Sequence, residues 1–212
     1  LLDTINLSTW NPHSIVVSKN IQSVAYIQRA ANKKVQVVHN GQPGAPFDAI
    51  KQDSLVFSTD GQRLAYEATQ GKHQVMVVDE VINPAYKKIL DGSFIFSPDG
   101  NHYAYAAKKR ESFAVVNGKQ STPYRRIVPF SLQFSPDSNS VAYIANAGSK
   151  QVMVIDGKVS PRYDNIWIGS SIFSSSGTRS AYVAQIDDAW SVTIDGKKGP
   201  SFDFVVVSSL QF

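Results

Sequence analysis

The chain repeats itself about every 39 residues, and nothing else in it restricts the fold as strongly, because a repeat decides what every recurrent residue means. Aromatic-serine pairs stand at Phe57-Ser58, Phe96-Ser97, Phe134-Ser135 and Phe173-Ser174, with Phe212 in the same phase, at spacings of 39, 38, 39 and 39. Ala-Tyr pairs end at Tyr26, Tyr66, Tyr105, Tyr143 and Tyr182, spaced 40, 39, 38 and 39. Turn dipeptides keep step at Asn40-Gly41, Asp79-Glu80, Asn117-Gly118, Asp156-Gly157 and Asp195-Gly196. A fourth marker is the aromatic at Phe47, Tyr86, Tyr124, Tyr163 and Phe202.

Within one unit the segments are short, rich in β-branched and aromatic residues, and cut by tight-turn residues, which is the pattern of antiparallel strands. In the second unit, residues 54–58 read as an innermost strand, Thr59-Asp60-Gly61 as a turn and residues 63–68 as the returning strand. Residues 74–78 form the third strand, and residues 86–90 the outer one. Four strands in about 39 residues make the blade of a β-propeller. Turns every dozen residues leave no room for a helical repeat. The expected fold is all-β, a β-propeller with five four-stranded blades, as one domain over 1–212. Its repeats fall at about 15–53, 54–92, 93–130, 131–169 and 170–208, with partial strands at 5–10 and 209–212.

Composition removes several function classes. No cysteine is present, so there is no disulfide framework, thiolate nucleophile or cysteine-held metal. The net charge of +4 is mild and dispersed, and no nucleic-acid partner is expected. Apolar runs are far shorter than the ~18 residues of a membrane span, so no membrane insertion is expected. No phosphate-binding, dinucleotide-binding or nucleophile-elbow motif occurs, and no cofactor is expected.

The string Phe96-Ser97-Pro98-Asp99-Gly100, followed by Ala104-Tyr105, resembles the TolB-type, WD-like propeller repeat. The likeness runs from about Val17 to Phe212. Families with such blades include periplasmic scaffolds and peptidase-associated propellers, and the Gly-His and Trp-Asp marks of the eukaryotic WD repeat are missing here. The resemblance implies a bacterial or archaeal binding propeller in a periplasmic or extracellular location.

Both ends carry repeat-like strands beyond five blades: residues 5–10 at an outer-strand phase and residues 209–212 at an inner-strand phase. A ring closed at five blades uses each position once. The expectation is therefore either part of a longer propeller, with strand-mediated self-association, or a closed ring with one end displaced. Leu1-Leu2 without Met fits a processed or trimmed start.

For chemistry, the four histidines His13, His39, His73 and His102 lie near strand ends of different units without metal-ligand spacing. Asp99 and Asp137 follow Ser-Pro and read as turn formers. A glycosidase needs two carboxylates about 5–9 Å apart. The inner strands carry none, and only Asp53 and Asp91, just before two of them, are placed for the task. No catalytic residue and no metal ligand is assigned.

Binding has better material. The links into the innermost strands include two large aromatics on adjacent blades, Phe130 and Trp167. The links from second to third strand are basic in four units, with Arg29, Lys33 and Lys34, then Lys72, then Lys108, Lys109 and Arg110, then Lys150, and the fifth has Asp187-Asp188 instead. Exposed aromatics beside a concave mouth and a basic rim suit an acidic protein partner or a sugar. Asn6-Leu7-Ser8 is a lone glycosylation sequon. The expected function is a non-catalytic binding module that presents its loop face to a protein. The alternatives are a carbohydrate-binding or glycan-processing propeller and the accessory propeller of a peptidase-like protein.

Overall fold

The computed structural model describes residues 9–212; the sequon at 6–8 and most of the terminal segment 5–10 lie outside the described residues. The chain is all-β and folds as propeller blades, five antiparallel sheets of four or five strands. It divides after Ile89 into two compact units.

The first unit holds two sheets. One orders Val16–Val17, Val24–Arg29, Val35–His39 and Gln42–Pro43. The other orders Ala49–Ile50, Leu64–Gln70, His73–Val78 and Val81–Ile82, with Val56–Phe57 also on Leu64–Gln70. In the second unit, one sheet contains Ile95–Phe96, Tyr103–Lys108, Ser112–Val116 and Lys119–Gln120. The next has Arg126–Ile127 and Gln133–Phe134 on Val141–Ala147, then Lys150–Ile155 and Lys158–Val159. The last has Asn165–Ile166 and Ile172–Phe173 on Ser180–Ile186, then Ala189–Ile194 and Lys197–Phe202.

The turn residues do what their chemistry allows. At Asn40-Gly41, Asn117-Gly118, Asp156-Gly157 and Asp195-Gly196 both φ values are positive, the geometry whose twist matches a tight hairpin. The first turn residue also reaches back. Asn40, Asp79, Asn117, Asp156 and Asp195 each accept the backbone N–H that opens the second strand, at 2.8–3.1 Å. Asp99 sits in its turn as the pattern requires, accepting from Asn101 N at 3.0 Å.

One strand differs from its reading in the sequence. The segment after the fourth-marker aromatic was expected to be the blade's own outer strand. Instead only the aromatic itself bridges the third strand, as Tyr124 does to Ser112 and Tyr163 to Gln151. The two or three residues beyond it cross to the next sheet: Arg126–Ile127 pairs with Asn146 and Ala145, and Asn165–Ile166 with Gln185 and Ala184. The outer strand is the short segment just after the turn, such as Lys158–Val159. Each first strand is thus made of two halves with a bulge between them.

A serine closes that bulge. Ser131 Oγ donates to Val128 O at 2.7 Å and accepts from Ile144 N at 3.0 Å, so it ties both halves to the middle of the second strand. Ser14, Ser54 and Ser93 repeat both bonds, and Ser170 Oγ accepts from Val183 N at 2.9 Å. The hydroxyl is small enough for the bulge and supplies the donor and acceptor that the broken ladder lacks.

The core of each unit is built from the Ala-Tyr strands. Ala25, Ala65, Ala104, Ala142 and Ala181 and their tyrosines are all buried. Successive blades meet aromatic on aromatic. In the first unit Phe47 of one sheet meets Tyr66 of the next edge-on, at 6.2 Å and 77°. Tyr124–Tyr143 and Tyr163–Tyr182 repeat the contact in the second unit, at 6.2 Å and 5.9 Å. An edge-to-face pair suits the ring quadrupoles and adds about 0.5–1.5 kcal/mol beyond its buried area.

Candidate functional site

The bulge between the halves of the first strand is also what displays the aromatics. Phe130 takes φ 60° at the tip of one bulge and is 72% exposed. Its ring lies over Gly92 of the preceding blade, where an added Cβ would come within 2.6 Å of it. Trp167 is 42% exposed in the next bulge, beside the half-exposed Ile168. Its indole packs on Trp190 at 5.3 Å and 59°. Trp190 belongs to the third strand of the same sheet and pairs there with Gln185. It joins the site only through the register that sets Gln185 between Asn165 and Trp190, which no single stretch of sequence displays.

The basic residues lie at the other predicted links. In the first unit Lys33 and Lys34 follow the tight turn at Asn32, where φ is 56°, and Lys34 pairs with Asp48 at 3.7 Å. Lys72 is exposed beside Gly71, whose N–H is taken by Asp48 at 2.7 Å. In the second unit Lys108, Lys109 and Arg110 are exposed at the turn between second and third strands. Lys150 is committed to Asp164. Asp48 and Asp164, each in an ion pair and each accepting a backbone N–H from a hairpin turn, are held below the usual carboxylate range.

The carboxylates considered for catalysis are in turns. Asp53 lies in the short 3-10 turn Gln52–Ser54 of the first unit, and Asp91 is exposed in the second. A carboxylate missed in the sequence is Glu67, 6% exposed on a second strand whose equivalents are Ile27, Ala106, Ile144 and Val183. Lys51 lies 3.6 Å from it. Glu67 lies on a second strand rather than an innermost one, at a position whose repeat equivalents are all buried. Of the histidines, His102 Nδ1 lies 2.8 Å from the Asn117 amide and His39 packs on Phe57 at 5.6 Å. His102 is thus held within its own blade, whereas His39 packs against the next sheet of the first unit.

A cleft of about 500 Å³ opens between the last two sheets, lined among others by Asp156, Lys158, Phe173, Arg179, Tyr182 and Asp195. Arg179 and Asp195 neutralise each other at 2.9 Å, so the cleft has no strong charge of its own.

No family model matches the sequence, and no curated protein matches it. Solved structures do match in fold. A structure described as a eukaryotic initiation factor aligns with a TM-score of 0.51 at 13% identity, over 93% of this chain and 54% of that one. A putative TolB from Agrobacterium tumefaciens aligns at 0.42 and 13%, over 89% and 79% of the two chains. TolB from Acinetobacter baumannii aligns at 0.40 and 17%, over 81% and 49%. The chain therefore spans about half the length of two of these three. At such identities the likeness concerns the fold alone. Sheets and repeat phase together make this chain a β-propeller repeat protein, similar in its blades to the TolB type.

Proposed function

We propose that the chain is a non-catalytic propeller binding module, and that the aromatic bulges at Phe130 and Trp167 are its contact surface for a protein partner. The observation that carries this reading is the exposure of two large aromatics on adjacent blades. Each is held by a specific neighbour: Phe130 lies on Gly92 and Trp167 on Trp190. Pre-positioned aromatics lose little entropy on binding, which is why they anchor interfaces. Lys108, Lys109 and Arg110 in the same unit, and Lys33, Lys34 and Lys72 in the other, would favour an acidic partner. A periplasmic or extracellular location accords with the repeat resemblance. Against chemistry of its own stand the turn positions of Asp53 and Asp91 and the ion pair that holds Glu67.

A photo-crosslinking residue placed at 130 or 167 tests the assignment, with the exposed outer-strand position 81 as control. Adducts with one protein from 130 and 167 and none from 81 are expected; equal yields from all three overturn it. A glycan array decides the carbohydrate alternative. Sugar binding that disappears in Trp167→Ala would transfer the assignment to that class, because stacked indoles also make a sugar platform.

A further inference from the structure

The first unit departs from the repeat where its two sheets pack together beside the turn Asp79-Glu80. In the second unit the corresponding cleft is lined by Ile155, Ser160, Phe173, Tyr182 and Gly196. The residues 116 positions earlier, three repeats back, are His39, Gly44, Phe57, Tyr66 and Glu80. The hydroxyls that surround Tyr182 are missing around Tyr66. Tyr182 has the Tyr163 hydroxyl at 3.3 Å, with those of Ser160 and Thr193 close enough to bias its ionisation. In the same phases the first unit carries Phe47, Gly44 and Val77. Tyr66 is 1% exposed, and its hydroxyl has no hydrogen-bond partner among the described residues. The same holds for the buried Nε2 of His39, whose ring packs on Phe57. Folded interiors leave few such groups, and each is costly.

What the cleft gains is a carboxylate. The other four turns of this phase carry glycine at the second position, at Gly41, Gly118, Gly157 and Gly196. Glu80 adopts φ 64° there, a conformation that costs a residue with a side chain. Its carboxylate lies over Gly44, where an added Cβ would be 2.4 Å from Glu80 Oε2. It therefore takes the place that the Ser160 side chain has in the second unit. Glu80 forms no ion pair among the described residues, and Arg63 is committed to Asp79 at 2.7 Å. Burial first and the Glu80 charge second raise the Tyr66 hydroxyl above its ordinary value of 10.0. Carboxylate and phenol thus face one space without a bond between them.

We propose that this cleft of the first unit binds a primary ammonium group, with Glu80 as its counter-ion and Tyr66 Oη and His39 Nε2 as acceptors. An ammonium brings three N–H donors and no acceptor, and these three groups supply one acceptor for each. His39 serves in the neutral tautomer protonated at Nδ1, which leaves a lone pair on Nε2. The carboxylate supplies the charge, and the rings of Phe57 and Tyr66 suit a cation at their faces. Phenol and imidazole nitrogen are enclosed while Glu80 is exposed at the rim, so its side chain can turn aside to admit a slim, unbranched amine. A quaternary ammonium is too broad and has no N–H to give. The unfavourable φ of Glu80 then has a purpose, because glycine would relieve it and lose the counter-ion. The site lies wholly in the first unit and owes nothing to the aromatic bulges of the second.

The test follows the backbone amides of the isotope-labelled full chain by NMR during titration with n-butylammonium chloride. Saturable shifts are expected at Gly44, Tyr66 and Glu80. Neither tetramethylammonium chloride, which lacks the N–H donors, nor n-butanol, which lacks the charge, should saturate them. Glu80→Gln keeps the size of the side chain and should weaken binding about tenfold through the lost charge. Tyr66→Phe should weaken it about fivefold, the weight of one net hydrogen bond. Glu80→Gly gives the turn the residue its four counterparts carry, so it keeps the fold and should abolish binding. Nα-acetyl-lysine methylamide binding as tightly as butylammonium would place the ammonium on a lysine of a protein, and much weaker binding would place it on a free amine; either result upholds the site. Absence of saturable shifts at Gly44 and Glu80, an equal response to n-butanol or tetramethylammonium, or unchanged affinity in the two Glu80 variants would each overturn the proposal. Shifts of equal size around the exposed Asp187-Asp188 turn would show surface attraction alone and overturn it as well.

Discussion

The serine bracket offers a test in which one substitution is made at two equivalent positions of one molecule. Ser131→Ala removes a bond to Val128 O at 2.7 Å and one from Ile144 N at 3.0 Å, at a residue 5% exposed. The bond to Val128 O contributes about 1 kcal/mol net, and leaving the Ile144 N–H dry costs about 1–3 kcal/mol, so a loss of about 2–4 kcal/mol is expected. The same change at Ser209 removes only a bond to Val206 O on an exposed segment, and a loss within about 0.5 kcal/mol is expected. Urea unfolding followed by two probes measures both. With a slope of about 2–3 kcal/mol/M for a chain of this size, Ser131→Ala should lower the midpoint by about 1 M and Ser209→Ala should leave it unmoved. Equal shifts for the two variants would refute the reasoning, because the bracket would then owe nothing to the second strand. An unmoved midpoint in Ser131→Ala would refute the hydrogen-bond account of the bulge.

The other predictions concern the tyrosines, the turns and the bulge. Tyr105 is wholly buried, so Tyr105→Ala should cost about 3–5 kcal/mol in denaturant unfolding, and an unchanged midpoint would remove it from the core. Burial raises Tyr66 above its ordinary value of 10.0, so its contribution is intact below pH ~10 and is lost as pH rises through the folded value. Tyr66→Phe should flatten the alkaline fall in stability, and an identical pH slope would contradict that. Asp99 is held below its ordinary value of 3.8 by the Ser97 hydroxyl first and then by Asn101 N–H, so its contribution is present above that value and fades as pH falls. Asp99→Asn should reduce the acid sensitivity, and a titration that matches the parent would exclude it. Gly92→Ala places a Cβ 2.6 Å from the Phe130 ring at a residue with φ 64°, so it should destabilise by more than about 1 kcal/mol. Part of that should return in the Phe130→Ala background, and strict additivity would place the ring elsewhere.

The repeat, the turns and the tyrosine core were legible in the residues because each is local or periodic. An Asn-Gly or Asp-Gly pair adopts its positive φ values wherever it closes a two-residue hairpin, and the buried face of the Ala-Tyr strands recurs with the repeat. The aromatic tips at Phe130 and Trp167 were visible as residues, but their supports at Gly92 and Trp190 were not. Those contacts join positions 38 and 23 apart in the chain, and side chains at such separations meet only once the strand register is set.

The sequence by itself determined the blade and its period, since hairpin turns and alternating burial act over a few residues and need no distant partner. Tertiary structure decided which sheet receives the residues after Tyr124 and Tyr163, and it turned one first strand into two halves joined through a serine. It also decided which of two like residues is buried. Phe202 is 50% exposed and Ser209 is exposed, although Tyr163 and Ser170, in the same repeat phases, are enclosed. The physical reason is that burial and hydrogen-bond completion belong to pairs of strands, and a residue's pattern states what it can pair with but not whether the partner is there.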